Sequence, residues 1–306
     1  MNTYSIKDLE HMTGIKAHTI RVWEQRYQII TPKRTNTNIR YYDSEDLKYM
    51  LNVALLNNNG FKISKIATMS KDEIHEAVLK VLGKRENYQD QINGLAMAMI
   101  DLDEERFEKI ISTNVLQIGF EETMFKVVFP FLARVGFLWQ TDAINPCQEH
   151  FISNLIRQKI IVAIDGQVAT VNPNYNKYLL FLPEGEWHEI GIMFAVYLIK
   201  KRGNKVIYLG QNLPLEDIKK AYEIYKTDYL CTALTASPDI DCAQNYINEL
   251  SQEFPDAGMI ISGYQVVGQE LEGNNNVFLV PNFFSLIDFV EEDNAYKEKA
   301  VENQTF

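Results

Sequence analysis

The sequence predicts a multidomain protein with a helical front half and an α/β back half. Between residues 95 and 168, apolar residues recur at three- and four-residue spacing, as in Phe107, Ile110 and Ile111. This is the period of an amphipathic helix. After this segment, short apolar runs alternate with amphipathic stretches, which favours a doubly wound parallel sheet. The runs lie at residues 178–182, 205–209, 229–234, 258–262 and 276–280.

Composition limits the class of protein. The chain has 306 residues, 46% of them apolar, which is enough for two or three domains with sizeable cores. A secretory leader, a membrane-spanning run and a disulfide framework are all missing from the sequence, which predicts a cytoplasmic protein. Residues 1–70 carry ten Lys and Arg against six Asp and Glu, a net charge of +4 in a chain whose total is −11. A basic head on an acidic body predicts a nucleic-acid-binding module at the front.

This head, residues 1–72, is the first predicted domain. Ser5 can cap a first helix, Gly14 supplies a turn, and residues 16–27 predict a second helix. Residues 31–38 form a turn-rich interruption that leads into a strand-like run. Short helices with one such interruption are typical of a small DNA-binding domain.

Five motifs follow one another through the head. They are Gly14–Glu24, Pro32-Lys33-Arg34, Arg40-Tyr41-Tyr42, Asp46-Leu47 and Gly60-Phe61-x-Ile63-x-x-Ile66. The series resembles the MerR family, which implies a winged helix–turn–helix that binds promoter DNA as a dimer. Lys16, Thr19 and Arg21 on the recognition helix would then meet bases and phosphates. The wing residues expected to contact the DNA backbone are Lys33, Arg34, Arg40 and Tyr42. The alternative for these cations is a solvated face.

His188 is the most informative position of the back half. It follows the first apolar run, on a strand-to-helix loop, and Glu186 lies two residues before it. A carboxylate that holds one ring nitrogen specifies an oriented metal ligand. One histidine cannot hold a bare ion, so the metal is expected to arrive with most of its ligands attached, as in a tetrapyrrole or corrin.

Two further motifs follow the run Glu186-x-His188-x-x-Gly191 at the ends of later strands. They are Thr232-Ala233-Leu234 and Ser262-Gly263. The set resembles the cobalamin-binding domain of methionine synthase, corrinoid methyltransferase proteins and mutases, with Ser262 in place of the first glycine of a Gly-Gly pair. The resemblance implies a flavodoxin-like, Rossmann-type domain over residues 176–300.

The resemblance also implies a role for each motif residue. His188 would ligate cobalt in place of the nucleotide base of the cofactor, and Glu186 would orient the imidazole. Gly191 would let a helix start beside the corrin. Thr232 would hydrogen-bond the displaced base, and Gly263 would leave room for the nucleotide tail.

The helical segment, residues 90–168, carries a third set of motifs. In order they are Asp101-Leu-Asp-Glu, Pro130, Arg134-Val135-Gly136-x-x-Trp139 and Gln148-Glu149-His150-Phe151. They resemble the four-helix-bundle cap of cobalamin proteins, and the spacing from Trp139 to Glu149-His150 resembles the CarH/LitR-type photoreceptors. There Trp139 would stack on adenosine, Glu149 would accept a ribose hydroxyl, and His150 would fix Glu149 or contact the corrin. Relatives can place a histidine beside the tryptophan, where this chain has Gln140. The alternative is a core tryptophan and a surface Glu-His pair.

Together the resemblances imply a transcriptional repressor, and not an enzyme, that binds adenosylcobalamin with His188 on cobalt. Light would cleave the cobalt–carbon bond, and a homo-oligomer, a dimer to tetramer, would come apart and release operator DNA. Two alternatives stay open. One is a MerR-type regulator that has lost cobalamin sensing and responds to a protein partner, and the other is a corrinoid methyl-carrier protein.

Overall fold

The computed structural model describes most of the chain and divides it into two compact units, Met1–Ile156 and Arg157–Phe306. Within the described residues, the first unit is helical apart from a small ribbon, and the second is built on a parallel sheet. The predicted fold class is therefore confirmed. The division into domains 1–72, 90–168 and 176–300 stays a prediction. The described residues are 3–35, 38–58, 60–82, 88–140, 144–167, 175–235, 240–266, 271–273 and 276–302.

The first helix of the head begins and ends at the residues that the sequence predicts as caps. The Ser5 hydroxyl accepts the Asp8 N–H at 3.3 Å, and the Asp8 carboxylate accepts the Ser5 N–H at 2.7 Å. This reciprocal pair starts the first helix at the predicted cap, and Gly14 ends it with a φ of +72°, where glycine is favoured. The helices of the head are α1 (Ile6–Thr13), α2 (Ala17–Tyr27), α3 (Ser44–Asn58) and α4 (Ile63–Ile66), and α5 (Lys71–Leu82) begins at the end of the head.

The turn-rich interruption forms an antiparallel ribbon of β1 (Lys33–Arg34) and β2 (Arg40–Tyr41). Tyr4 extends the pairing, since its N–H donates to the Tyr42 carbonyl at 2.8 Å and its carbonyl accepts the Tyr42 N–H at 2.9 Å. The ribbon is thus tied to the strand-like residue that precedes α1.

The rest of the first unit is a helical bundle, whose last helix continues into the second unit. Asp103 caps one helix by accepting the Arg106 N–H at 2.9 Å. The last helix begins after a reciprocal cap, in which Asn145 and Gln148 each accept the other's N–H, at 3.2 and 3.1 Å. The elements are α6 (Tyr88–Asp101), α7 (Glu104–Ile118), α8 (Phe120–Thr123), a π-helical turn (Met124–Val128), α9 (Phe129–Gln140) and α10 (Pro146–Asp165).

The second unit holds a five-stranded sheet in which every pair of neighbours is parallel. The five predicted strands are confirmed, with no end shifted by more than two residues. They are β3 (Lys177–Leu180), β4 (Lys205–Tyr208), β5 (Tyr229–Ala233), β6 (Gly258–Ser262) and β7 (Val277–Leu279), in the spatial order β4-β3-β5-β6-β7. This is the flavodoxin-like order, whose ligands bind where the order reverses, outside the carboxyl ends of β3 and β5.

Helices α11 (Glu189–Lys201), α12 (Leu215–Tyr225), α13 (Ile240–Glu253) and α14 (Phe283–Glu302) connect or follow the strands. Residues 192–199 of α11 are all buried, so this helix is apolar around its whole circumference. No helix among the described residues is both long and apolar enough to cross a bilayer. An apolar cluster joins β5 to α12 and α13, and it contains Leu230, Leu234, Ile218 and Ile247.

Candidate functional site

His188 stands at the point where the first strand of the sheet passes into its helix. A turn brings the chain there: the Glu186 N–H donates to the Pro183 carbonyl at 3.0 Å, and Gly185 has a φ of +83°. Glycine is favoured at that position of the turn. His188 is then the residue that immediately precedes α11, and its side chain is 64% exposed.

Glu186 holds this loop together from inside. Its side chain is only 5% exposed, and one carboxylate oxygen lies 2.6 Å from His188 Nδ1. The same oxygen accepts the backbone N–H groups of Trp187 and His188, each at 3.0 Å. Because Nδ1 faces the carboxylate, the ring nitrogen suited to a metal is Nε2.

The second Glu186 oxygen reaches the neighbouring strand. It accepts the Thr235 N–H at 2.7 Å, just beyond the end of β5. Sequence reasoning missed Thr235, because the contact uses its backbone and gives no side-chain signal. One carboxylate thus joins the His188 loop to the end of β5, across the point where the strand order reverses.

A cavity of about 300 Å³ lies beside this loop, between β5, β6 and the starts of α11 and α14. Of the predicted residues, it is bordered by His188, Gly191, Ser262 and Gly263. A Cβ added at Gly191 would meet only the Phe283 ring, at an ordinary 3.9 Å. The protein's own packing therefore does not require glycine at this position. The other lining residues include Thr235, Cys231, Ala233, Tyr264, Pro281 and Asn282.

The backbone conformation at position 263 requires glycine. It has a φ of +108°, and a Cβ there would lie 2.4 Å from the Leu234 carbonyl oxygen. The Leu234 N–H donates to the Ser262 carbonyl at 2.8 Å. The resemblance implies that Gly263 leaves room for a nucleotide tail. Within the protein, the atoms nearest to its missing side chain belong to Leu234, just beyond β5.

Thr232, which the resemblance implies would hydrogen-bond a base, lies on the face of β5 opposite this cavity. Successive side chains of a strand point to opposite faces, and its neighbours Cys231 and Ala233 line the cavity. The Thr232 hydroxyl is buried and has no hydrogen-bond partner among the described residues. Leu234 shares this face of β5 and packs in the apolar cluster with Ile218.

The predicted upper-face residues lie in the first unit, at the end of α9 and the start of α10. Trp139 is 47% exposed, which excludes the alternative of a core tryptophan. The Glu149 carboxylate lies 3.1 Å from His150 Nδ1 and accepts the Ser153 hydroxyl at 2.5 Å. His150 therefore contacts Glu149, one of the two roles expected of it. The side chain of Gln140 lies outside the described residues.

The predicted DNA-reading residues occupy the exposed surface of the head. Lys16, Thr19 and Arg21 lie at or near the start of α2. Lys16 pairs with Glu10 at 3.0 Å, and this contact lowers the pKa of the Glu10 carboxyl. Glu10 also accepts the Ala17 N–H at 3.1 Å, so a carboxylate from α1 caps the reading helix.

Two of the predicted wing cations, Lys33 and Arg34, already have partners within the protein. Lys33 pairs with Asp43 and lies 3.8 Å from Asp46, and the bond to Asp43 raises the pKa of the lysine. Arg34 donates to the Asn38 side chain at 2.8 Å, while Arg40 is exposed.

Tyr42 differs from its prediction as a phosphate contact. Its side chain is fully buried, and its hydroxyl donates to the Glu24 carboxylate. In this structure it holds the wing to α2 and does not face solvent.

Comparisons with known proteins match two successive stretches of the chain separately. The model of the MerR HTH family regulatory protein matches residues 4–73, and the model of a B12 binding domain matches residues 91–163. The chain is 24% identical over 259 residues to the HTH-type transcriptional repressor CarH of Myxococcus xanthus, covering 83% of this chain and 86% of that one. It is 25% identical over 221 residues to the HTH-type transcriptional repressor CarA of the same organism, covering 72% of each.

A solved structure resembles the fold. The monomethylamine corrinoid protein of Methanosarcina barkeri superposes with a TM-score of 0.53 at 14% identity, over 67% of this chain and 99% of that one. At this identity the likeness concerns the fold alone.

Proposed function

We propose that this chain, a cobalamin-binding transcriptional regulator with a MerR-type head and a B12-binding domain, is a repressor controlled by adenosylcobalamin and light. Two relatives that match most of the chain are named transcriptional repressors, not enzymes. The observation that carries the proposal is the Glu186–His188 pair, which presents an oriented imidazole beside a cavity.

His188 would hold cobalt through Nε2. The Glu186 carboxylate at 2.6 Å favours the tautomer with a proton on Nδ1, and it makes the ring a better donor to a metal. The exposed ring can be approached by a large planar group, whereas a small cation would need several more ligands from the protein. These features fit a metal that brings most of its own ligands.

The cavity beside His188 would take the nucleotide tail. Gly191 leaves open space there, and Ser262 and Thr235 border it with polar groups. Gly263 would let the end of β6 approach Leu234 closely at the edge of this cavity. Thr232 would stabilise the opposite face of β5.

Trp139, Glu149 and His150 would cover the adenosyl group, as the CarH/LitR resemblance implies. The indole is exposed and can stack on a purine. His150 and Ser153 fix the Glu149 carboxylate as an acceptor for a ribose hydroxyl. When bound, adenosylcobalamin supplies a cobalt–carbon bond that light cleaves.

The head would bind operator DNA as part of a homo-oligomer, a dimer to tetramer. Light would dissociate this oligomer. Lys16, Thr19 and Arg21 would read the major groove, and the wing would contact phosphates through Arg34 and Arg40, with Lys33 after release from Asp43. Tyr42 would act indirectly by holding the wing. A protein whose partner is operator DNA would work in the cytoplasm.

Two experiments test the proposal. Purified protein is mixed with hydroxocobalamin or adenosylcobalamin in the dark, passed through a gel-filtration column, and its visible spectrum is recorded. We expect retained corrin from wild type and from Glu184→Ala, an exposed change in the same loop, and much less from His188→Ala. Loss of corrin from wild type would favour a regulator that has lost cobalamin sensing.

The second experiment is a DNA mobility shift with the adenosylcobalamin-loaded protein, in the dark and after illumination. We expect a shift in the dark that light abolishes. Equal shifts under both conditions would reject light control and leave a cobalamin sensor. Methyl transfer from bound methylcobalamin to a partner would instead favour a corrinoid methyl carrier.

A further inference from the structure

Helix α9 contacts the DNA-binding head from inside the first unit. Arg134 Nη1 donates to the Met12 carbonyl oxygen at 3.1 Å and to the Asn93 side chain of α6 at 2.9 Å. Met12 lies in the last turn of α1, whose carbonyl groups have no partner within the helix. A guanidinium at that end also complements the helix dipole. Arg134 is partly buried, which lowers its pKa and makes these contacts costly to lose.

A second contact lies beside the first. The His11 ring stacks on the Phe137 ring, with centroids 3.6 Å apart and planes 19° from parallel. His11 also belongs to the last turn of α1. Arg134 and Phe137 are three residues apart, which places them on one side of α9. Two side chains of α9 thus grip the end of α1.

That end of α1 determines where the reading helix begins. Glu10, in the same turn, accepts the Ala17 N–H that starts α2 and pairs with Lys16. Only Gly14, Ile15 and Lys16 separate α1 from α2. A shift of the last turn of α1 therefore moves the first residues of α2.

Trp139 lies on another side of α9. It follows Phe137 by two residues, which is a rotation of about 200° around a helix, and it is exposed whereas Phe137 is half-buried.

We propose that α9 couples the cobalamin side of the cap to DNA binding within one chain. Occupancy at Trp139 moves α9, and Arg134 and Phe137 transmit this movement through Met12 and His11 to α2. The inference rests on the proposed function and names its internal route. It is distinct from control by assembly, because it needs only contacts within one protomer.

The test compares Arg134→Gln and Phe137→Leu with two matched controls in the full chain. The controls are Lys126→Gln, which pairs with Glu122, and Phe125→Leu, which packs near Phe129 within the bundle. For each protein, operator affinity is measured by fluorescence anisotropy with and without adenosylcobalamin in the dark. Cobalamin uptake and the molecular mass in solution are measured in parallel, by visible spectrum and light scattering.

The ratio compared is the operator dissociation constant without adenosylcobalamin divided by the constant with it. We expect this ratio to fall at least threefold in Arg134→Gln and Phe137→Leu, with cobalamin uptake and molecular mass unchanged. The controls should keep the wild-type ratio. A ratio unchanged in both variants, or one that falls only because the oligomer is lost, would overturn the inference. If wild type takes up no cobalamin, the proposed function fails and this inference fails with it.

His11→Ala keeps the test decisive if a bundle variant does not fold, since His11 is exposed and belongs to the head. Its ratio should fall as in Phe137→Leu, and the double variant should show no additional loss. Independent, additive losses from His11→Ala and Phe137→Leu would contradict a shared route.

Discussion

Replacing Glu186 by glutamine tests the central contact of the candidate site. One carboxylate oxygen accepts from Trp187 N, His188 N and His188 Nδ1, and the other accepts from Thr235 N. A glutamine has one acceptor oxygen and one donor nitrogen at these positions. The glutamine orientation that loses the fewest hydrogen bonds keeps its oxygen toward His188. Its NH₂ group then faces the Thr235 N–H, so that a donor faces a donor.

The size of the effect follows from the burial of this group. A hydrogen bond to a charged acceptor contributes about 1.5–3 kcal/mol, and a buried donor left without a partner adds to the loss. We therefore expect Glu186→Gln to lower the free energy of unfolding by about 2 kcal/mol or more. For a unit of this size, each kcal/mol lowers Tm by about 2–4 °C, so the fall should be at least ~4 °C.

The assay is thermal unfolding of cobalamin-free protein, followed by far-UV circular dichroism. Glu184→Gln is the matched control, because it makes the same change of charge at an exposed position two residues earlier. In ¹⁵N-labelled protein, Glu186→Gln should also reduce the fraction of Co(II) cobalamin with a protein nitrogen ligand, because the hyperfine splitting of the EPR spectrum then distinguishes a ¹⁵N ligand from the cofactor's own base. Equal unfolding temperatures for the two variants would refute the inference that this carboxylate holds the loop.

Three other predictions concern the second unit. Gly263→Ala should cost at least about 2 kcal/mol in urea unfolding, because its φ is positive and its Cβ would lie 2.4 Å from the Leu234 carbonyl; an unchanged midpoint would contradict this. Burial raises the pKa of Cys231 to about 12, so native protein at pH 8 should alkylate there about a thousandfold more slowly than urea-unfolded protein, by peptide mapping. Rapid native labelling of Cys231 would show that β5 is more open than described. Arg157→Met should cost about 1 kcal/mol, because the Arg157 side chain is 36% exposed and solvent partly screens its pair with Glu189, at 2.5 Å; a loss above ~3 kcal/mol would mean that the pair is effectively buried.

The sheet could be predicted from the sequence because its central strands β3, β5 and β6 are buried on both faces. Such strands appear as short continuous apolar runs, and each of the five predicted runs overlaps a strand of the structure. The loop of Glu186 and His188 was predictable for the same reason, since a strand end fixes where a following loop begins. The structure adds the order of the strands, which depends on contacts between segments distant in sequence.

Contacts that depend on the backbone could not be predicted. Thr235 reaches Glu186 through its N–H, a group present in nearly every residue, and Arg134 reaches the carbonyl of a residue 122 positions earlier. The direction of Thr232 required the exact register of β5, since a shift of one residue would turn it to the other face. Tyr42 fits a surface motif and a core position equally well, and only packing against Glu24 distinguishes them.

Glu186 shows why the candidate ligand and the fold are difficult to separate. A buried carboxylate is stable only if its oxygens are well supplied with donors, because desolvation of a charge is expensive. Two of its donors, at Trp187 and His188, come from the loop itself, and a third comes from the end of β5. The imidazole is therefore positioned by the Glu186 carboxylate, which the end of β5 already holds in place. His188 is thus oriented before any metal binds. A ligand that binds there gains a preformed contact, and any movement it causes in His188 passes directly to the switch point of the sheet.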